Sequence, residues 1–241
     1  MKSILDWMSM KLLEIECLRA GYGQITALFD VDLTLEAGET IALIGANGAG
    51  KTTLLRAVTG LIRAVGGAIR FQGQAVSGLP AHAIAALGIA MVPEGRRLFP
   101  SLTVEENLLM GACSGRHGPW TLERIYTLFP VLRERRAHAG TMLSGGQQQM
   151  VAVGRALMSN PRLLLCDELS LGLAPTVVKD IYRTLASVCG EGISLIIVEQ
   201  DVTQAIQASD RYLCMREGRI VLGGTRAEAD RTAISHAYFG S

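Results

Sequence analysis

The sequence of 241 residues has almost no net charge: 23 lysines and arginines against 22 aspartates and glutamates give +1 at neutral pH. So even a balance supplies no general attraction to nucleic acid or to an anionic membrane surface. A long apolar run is also missing. Hydrophobic residues make up 49% of the chain, yet no stretch reaches the roughly 18 uninterrupted apolar residues of a spanning helix. The best apolar runs, residues 163–166 and 193–198, have the length of buried parallel strands. Residues 1–10 are too short for a secretion signal and contain Asp6. With Met8 and Met10 close behind Met1, they read either as a misplaced start or as a flexible arm. A cytoplasmic chain is expected.

Paired cysteines are absent. Cys17, Cys113, Cys166, Cys189 and Cys214 are scattered, odd in number and without a CxxC pair, which argues against a disulfide framework and against a zinc site. Cys17, Cys166 and Cys214 fall inside apolar runs, where cysteine behaves as a small buried hydrophobe. His82, His117, His138 and His236 lie too far apart for a local metal clamp. There is no low-complexity tract and no repeat with a period of about 20–50 residues, so the chain should fold throughout apart from its ends.

What is present reads as an α/β domain. Residues 12–18 alternate apolar and acidic side chains, as in a half-exposed edge strand. Val31, Leu33 and Leu35 alternate in the same way. Residues 40–44 form a continuous apolar strand that runs into a glycine-rich loop and a helix from Lys51 to about Leu61, the opening of a parallel α/β unit. A strand over 68–71, a helix over 81–87 and a strand over 89–92 follow. Between Val92 and Leu163 no buried strand is predicted, only helices over 103–110 (with Thr103 and Glu106 spaced as a capping box), 122–129, near 133–136 and 147–158. The sheet resumes over 163–166 and 194–198, with a helix over 176–189 between them. A hairpin around Glu217-Gly218 and a helix over 234–239 end the chain. The expected organisation is a single domain over 11–241, with a core from 11–92 and 161–241, a helical subdomain inserted over 93–160, and an extension over 1–10.

Three motifs carry chemistry. Gly45-Ala46-Asn47-Gly48-Ala49-Gly50-Lys51-Thr52 fits the phosphate-binding loop G-x-x-x-x-G-K-[ST] in its required context, after a strand and before a helix. Its glycines let backbone N–H groups turn inward around a phosphate, and the helix start adds partial positive charge. Lys51 is expected at the β- and γ-phosphates, Thr52 on Mg²⁺ and Thr53 at the α-phosphate, which makes ATP and Mg²⁺ the expected ligands. Second, Asp167 and Glu168 follow a buried strand, at the end where ligands of open α/β sheets bind. Asp167 suits the magnesium shell. Glu168, pointing away from it if strand geometry persists, suits a general base on water. Third, in Leu143-Ser144-Gly145-Gly146-Gln147-Gln148-Gln149 a good N-cap and two glycines open a helix without a lysine or metal ligands. One complete cradle and one half-equipped one suggest that the second closes over a nucleotide held by another copy or a paralogue.

This third stretch, lying after the phosphate loop and just before Asp167, resembles the signature motif of ABC ATPases, and the resemblance covers essentially residues 12–240. It implies a P-loop core with an antiparallel β edge and an inserted helical subdomain, and two cassettes sandwiching two ATP molecules. It also implies integral-membrane permeases driven by the pair, a periplasmic or extracellular solute-binding protein, and a location on the inner face of the membrane. It assigns Tyr22 to adenine stacking, Ser144, Gly145, Gly146 and Gln147 to the partner's nucleotide, and Ser170-Leu171-Gly172-Leu173 to a loop crossing the dimer seam. Two departures, Glu94 where most relatives have glutamine and Gln200 where they have histidine, resemble the LivF-like branch that powers branched-chain amino-acid import. Urea, short amides or lipid are alternative cargoes, and a non-transport ABC ATPase is the alternative outside transport. Glu94 suits metal contact or coupling to the membrane subunit, against a solvated turn with Arg96 and Arg97. Gln200 can donate an amide hydrogen but does not titrate. Leu98-Phe99-Pro100 suits either a docking patch or the core. Leu169 replaces the usual proline.

Overall fold

The computed structural model describes residues 11–239; the extension expected over 1–10, and Gly240, lie outside the described residues. The first two strands, β1 (Lys11–Tyr22) and β2 (Ile25–Glu36), form a long antiparallel pair. With β4 (Ala64–Phe71) and the short β5 (Gln74–Ala75) they make a four-stranded sheet in the order β2-β1-β4-β5. Strand β1 is therefore internal, not the expected edge. Its acidic positions pair across the sheet's outer face, Glu16 with Arg70 at 3.0 Å for instance, while Leu13, Ile15 and Leu18 point to the core. Cys17 departs from expectation too. It is exposed, because a register shift between Ile15 and Leu18 turns it outward with a positive φ of 46°, and its N–H bonds Asp32 at 2.7 Å.

The second sheet has six strands, in the order β10-β9-β3-β8-β7-β6. Here β3 is Thr40–Ile44, β6 Ile89–Val92, β7 Leu163–Asp167, β8 Ser194–Val198, β9 Arg211–Arg216 and β10 Arg219–Thr225. From β9 to β6 every neighbouring pair is parallel, and β10 returns as an antiparallel edge. The central strands are buried on both faces, which is why they read as continuous apolar runs. Period-two alternation then divides them. Leu163, Leu165, Ile196 and Val198 join the core under the four-stranded sheet and α1 (Lys51–Val58), while Leu164, Cys166, Leu195 and Ile197 face the helices on the other side.

Those helices are α3 (Val104–Leu109), α4 (Leu122–Leu128), α5 (Pro130–Glu134), α6 (Gly145–Leu157) and α7 (Pro175–Gly190), while α2 (Ala81–Leu87) precedes β6. No strand forms between β6 and β7 among the described residues, and Thr103 and Glu106 make the capping box that the sequence predicts. Helix α7 turns Val178, Ile181, Leu185 and Val188 inward at helical spacing. Helix α1 is shorter than expected. Thr59 caps it with its hydroxyl on the Leu55 carbonyl at 2.9 Å, and Gly60 turns the chain at φ 69°. One helix, α8 (Val202–Gln207), was not predicted, although Asp201 accepts from the Gln204 N–H three residues on, a readable N-cap. Helix α9 (Arg231–Phe239) closes the chain beside the β9–β10 hairpin.

Candidate active site

Strands β3, β8, β7 and β6 are consecutive neighbours and parallel, so their carboxyl ends lie side by side. Beyond them stand Lys51 and Thr52 (after β3), Gln200 (after β8), Asp167 and Glu168 (β7) and Glu94 (after β6). Residues up to 149 positions apart in sequence are thereby gathered on one edge. A cleft of about 440 Å³ is lined by Asn47, Gly48, Gly50, Lys51, Thr52, Thr53, Glu94, Glu168 and Gln200, and also by Ala27 and Leu171.

The loop before α1 needs its glycines for two separate reasons. Gly45 has φ 151°, and a Cβ there would come within 2.3 Å of the Met215 carbonyl. Gly50, the residue before the helix, has φ 106° and offers no side-chain cap, which leaves the first N–H groups of α1 without a partner from any side chain. Lys51 is 4% exposed and donates to the carbonyls of Gly45 at 2.6 Å and Ala46 at 3.0 Å. Burial lowers its pKa, and the Glu168 and Asp167 carboxylates oppose that shift. Gly45 and Ala49 do not line the cleft. The Ala49 side chain is in the core, and its N–H bonds the Ala46 carbonyl at 3.1 Å.

Asp167 is 1% exposed. One carboxylate oxygen accepts from the Thr52 hydroxyl at 3.1 Å, and the other is buried with no hydrogen-bond partner. Burial is the main cause that pushes its pKa up to about 6, aided by the charges of Glu168 and Glu94 and opposed by the Thr52 bond. An orphaned, hard oxygen donor beside a hydroxyl fits Mg²⁺, which takes one or two protein ligands and completes its octahedron with phosphate and water. No cluster of three or more histidine, cysteine or acidic side chains suited to a metal occurs among the described residues.

Strand geometry ends at Asp167. Glu168 has φ 49°, not the extended conformation that its orientation was expected to rest on. Its N–H still bonds the Val198 carbonyl at 2.9 Å, and its carboxylate accepts from the Gln200 amide at 2.8 Å. The Glu94 loop is strained in a similar way, with Arg96 and Arg97 both at positive φ, 65° and 48°. Arg155 on α6 donates to their carbonyls at 3.0 and 2.8 Å and holds that conformation. Arg96 in turn bonds Gln148 at 3.2 Å. The Glu94 loop is thus fastened to the helix that begins at Ser144. Phe99 is exposed and Leu98 packs against the core, so the Leu98-Phe99-Pro100 segment divides between the two readings.

Ser144 caps α6 by accepting the Gln147 N–H at 3.3 Å, while Gln147 accepts the Ser144 N–H at 3.0 Å. The tip is exposed at Ser144 and contributes nothing to the cleft around Lys51. Gly146 is required for packing, since a Cβ would come within 2.7 Å of Val177 on α7. Tyr22 is 44% exposed and accepts a hydrogen bond from Arg56 at 3.1 Å. It lines a second hollow of about 500 Å³ together with Arg56, Glu94 and Asp167.

The family model described as ABC transporter matches residues 28–170. The chain belongs to the ABC transporter family. It is similar to the high-affinity branched-chain amino acid transport ATP-binding protein BraG of Pseudomonas aeruginosa, 45% identical over 95% of this chain and all of that one. It is also similar to a probable branched-chain amino acid transport ATP-binding protein, LivF, of Archaeoglobus fulgidus, 33% identical over 88% of this chain and 91% of that one. Among solved structures, a nucleotide-free ATP-binding cassette from an ABC transporter superposes with a TM-score of 0.80 at 25% identity, over 96% of this chain and all of that one. This ABC cassette is accordingly an ATP-binding domain and an ATPase.

Several contributors to the cassette's cleft and hollow were not anticipated, among them Ala27, Arg56, Leu61, Ile62 and Met91. Ala27 carries no chemical signal, and Leu171 was expected in a loop at the dimer seam, not in the cleft. Arg56 sits on α1 five residues after Lys51, where helical periodicity alone does not distinguish a Tyr22 partner from a solvated arginine. Arg155, which holds the Glu94 loop, was equally silent in sequence.

Proposed function

We propose that this cassette powers an importer of branched-chain amino acids, as one of two ATP-binding subunits that face each other head to tail beneath integral-membrane permeases. The full-length likeness to BraG supports the cargo. A periplasmic or extracellular solute-binding protein would deliver it. No helix among the described residues is long and apolar enough to cross a membrane, in keeping with a peripheral subunit on the cytoplasmic face. The domain reading is a single unit over 11–241, with 93–160 inserted as a helical subdomain between the core parts 11–92 and 161–241. The shared core of α3, α6 and β7 favours rigid coupling between them.

The observation that carries the paired arrangement is the cleft itself: it holds Lys51, Thr52, Glu168 and Gln200 but no residue of the Ser144 tip. A γ-phosphate gripped by Lys51 and the loop N–H groups faces outward, and a partner's Ser144, Gly145, Gly146 and Gln147 supply donors to it. The Ser144 hydroxyl accepts within its own cap, so its proton remains for that phosphate. Tyr22 stacks on adenine, Asn47, Gly48, Ala49, Gly50 and Gly45 shape the loop, and Thr53 meets the α-phosphate. Thr52 and Asp167, with Glu94 beside them, would hold magnesium, which would supply neutralisation of phosphate charge. Glu168 takes a proton from the water that attacks the γ-phosphorus, and Gln200 fixes the Glu168 carboxylate.

Glu168→Gln removes the base but keeps the shape of the site. Turnover should fall by about 10²–10⁴-fold, and light scattering with Mg-ATP should show the mass of two cassettes, alone or with a coexpressed paralogue. A mass of one cassette at saturating ATP in both mixtures would overturn the pairing.

A further inference from the structure

Strand β8 ends at Val198, and the next residue, Glu199, is 1% exposed. A carboxylate so deeply placed needs hydrogen-bonded partners. Both of its formed hydrogen bonds come from one residue: the Ser170 N–H reaches Oε1 at 3.1 Å and the Ser170 hydroxyl reaches Oε2 at 2.5 Å. The Tyr182 hydroxyl of α7 is buried beside the same carboxylate and interacts with it electrostatically, but outside hydrogen-bond geometry, so the formed bonds are those of Ser170. Burial raises the Glu199 pKa, and Ser170 and Tyr182 oppose this. Glu199 does not line the nucleotide cleft, whereas its neighbour Gln200 does.

Past the ends of β7 and β8 the two chains remain joined by a short ladder. Glu168 N–H bonds Val198 O at 2.9 Å, the Gln200 amide bonds Glu168 at 2.8 Å, and Ser170 bonds Glu199 twice. The last rung is the only one fixed entirely by a buried side chain, and it reaches the segment 170–174 that leads to α7. Without it, the two strand ends would be held by the Glu168 N–H bond to the Val198 carbonyl and by one amide contact between the half-buried Glu168 and the exposed Gln200.

We propose that Glu199 is a positioning residue: through Ser170 it locks the 169–174 segment to the end of β8, so that Glu168, Gln200 and that segment move as one unit. The inference deepens the proposed reading, in which 170–173 crosses to the partner cassette. Arrival of the partner at that segment then changes the placement of the base on its own side, with Glu199 as the link.

The test compares Glu199→Ala, Glu199→Gln and Ser170→Ala in the full chain. An amide side chain can still accept the Ser170 N–H and donate to its hydroxyl, so Glu199→Gln should keep the rung. Losing a charged, buried hydrogen-bond acceptor should cost about tenfold. Glu199→Ala is expected to lower kcat by that factor with KM for Mg-ATP within about twofold, and to speed hydrogen exchange at the Ser170 amide at least about tenfold. Ser170→Ala, a milder change that keeps the fold, should lower kcat about threefold. Glu199→Gln should recover both readouts. A kcat for Glu199→Ala within twofold of the parent, or unchanged exchange at Ser170, overturns the proposal, as does failure of Glu199→Gln to recover while its melting curve matches the parent. If the parent shows no ATP turnover, the ATPase-pair reading fails instead, and the exchange comparison still decides whether Glu199 fastens Ser170.

Discussion

Helices α1 and α6 both have glycines at their starts, just before α1 and as the first two residues of α6, yet their first turns are completed in opposite ways. At α1 the preceding residue is Gly50, with no side-chain cap, and the lysine that opens the helix is 4% exposed and folded over its own loop. At α6 the preceding residue is Ser144, which forms a reciprocal capping box with Gln147 and stands at the surface. The α1 start needs a ligand to satisfy its N–H groups; the α6 start satisfies itself and has a hydroxyl proton to offer elsewhere. The same local motif, a helix N-terminus suited to anions, is thus open at α1, beside the Asp167 carboxylate, and closed by its own cap at α6.

That contrast can be broken at the α1 side first. Lys51→Ala should lower turnover by about 10²–10³-fold, the loss typical of a transition-state donor in a dry site; steady-state ATPase assays within tenfold of the parent would show that the α1 start is not the primary cradle. Asp167 gives the next effect. Its folded pKa of about 6 lies above the unfolded 3.8, so the folded state holds the proton more tightly. Stability is therefore greatest below pH 4 with respect to this group and is lost as pH rises toward 6, by something on the order of 2–3 kcal/mol. Urea titrations across that window should show the decline in the parent and not in Asp167→Asn, and Mg²⁺ with nucleotide should offset it above pH 6. A flat parent profile would mean that Asp167 ionises freely.

Gln200→Ala should lower kcat about tenfold while nucleotide affinity, read by fluorescence of a bound analogue, persists; unchanged turnover would remove Gln200 from the site. The smallest effect sharpens the comparison most. Ser144→Ala should cost about 1 kcal/mol of stability through its lost cap, and nucleotide affinity of the isolated chain should stay within about twofold. A large loss of affinity in the monomer would place the α6 tip in its own chain's site.

Much of this was legible in the amino-acid sequence because the chemistry is local. The loop from Gly45 to Thr52, the Asp167–Glu168 pair and the Ser144 tip each lie within a few residues, and their flanking strands announce themselves by unbroken apolar runs. Strand β1 was misread as an edge because an alternating pattern reports one buried face and not the number of hydrogen-bonded neighbours. Cys17 was misplaced because a bulge shifts the phase of that pattern. The left-handed turn at Glu168 was equally hidden, since a residue's letter gives little sign that its neighbours will hold it at positive φ.

Sequence alone determined that a strand, a glycine loop and a lysine-bearing helix start follow one another, and that the serine-capped helix start carries no lysine of its own. Both are readable within single short segments, Gly45 to Thr52 and Ser144 to Gln147. Tertiary structure alone decided which residues share a cleft: the order β3-β8-β7-β6 brings Lys51, Gln200, Glu168 and Glu94 to one edge, and Glu199 reaches Ser170 across it. Strand order is set by how two-faced apolar strands share out helices and a second sheet, a long-range packing choice that no single segment encodes.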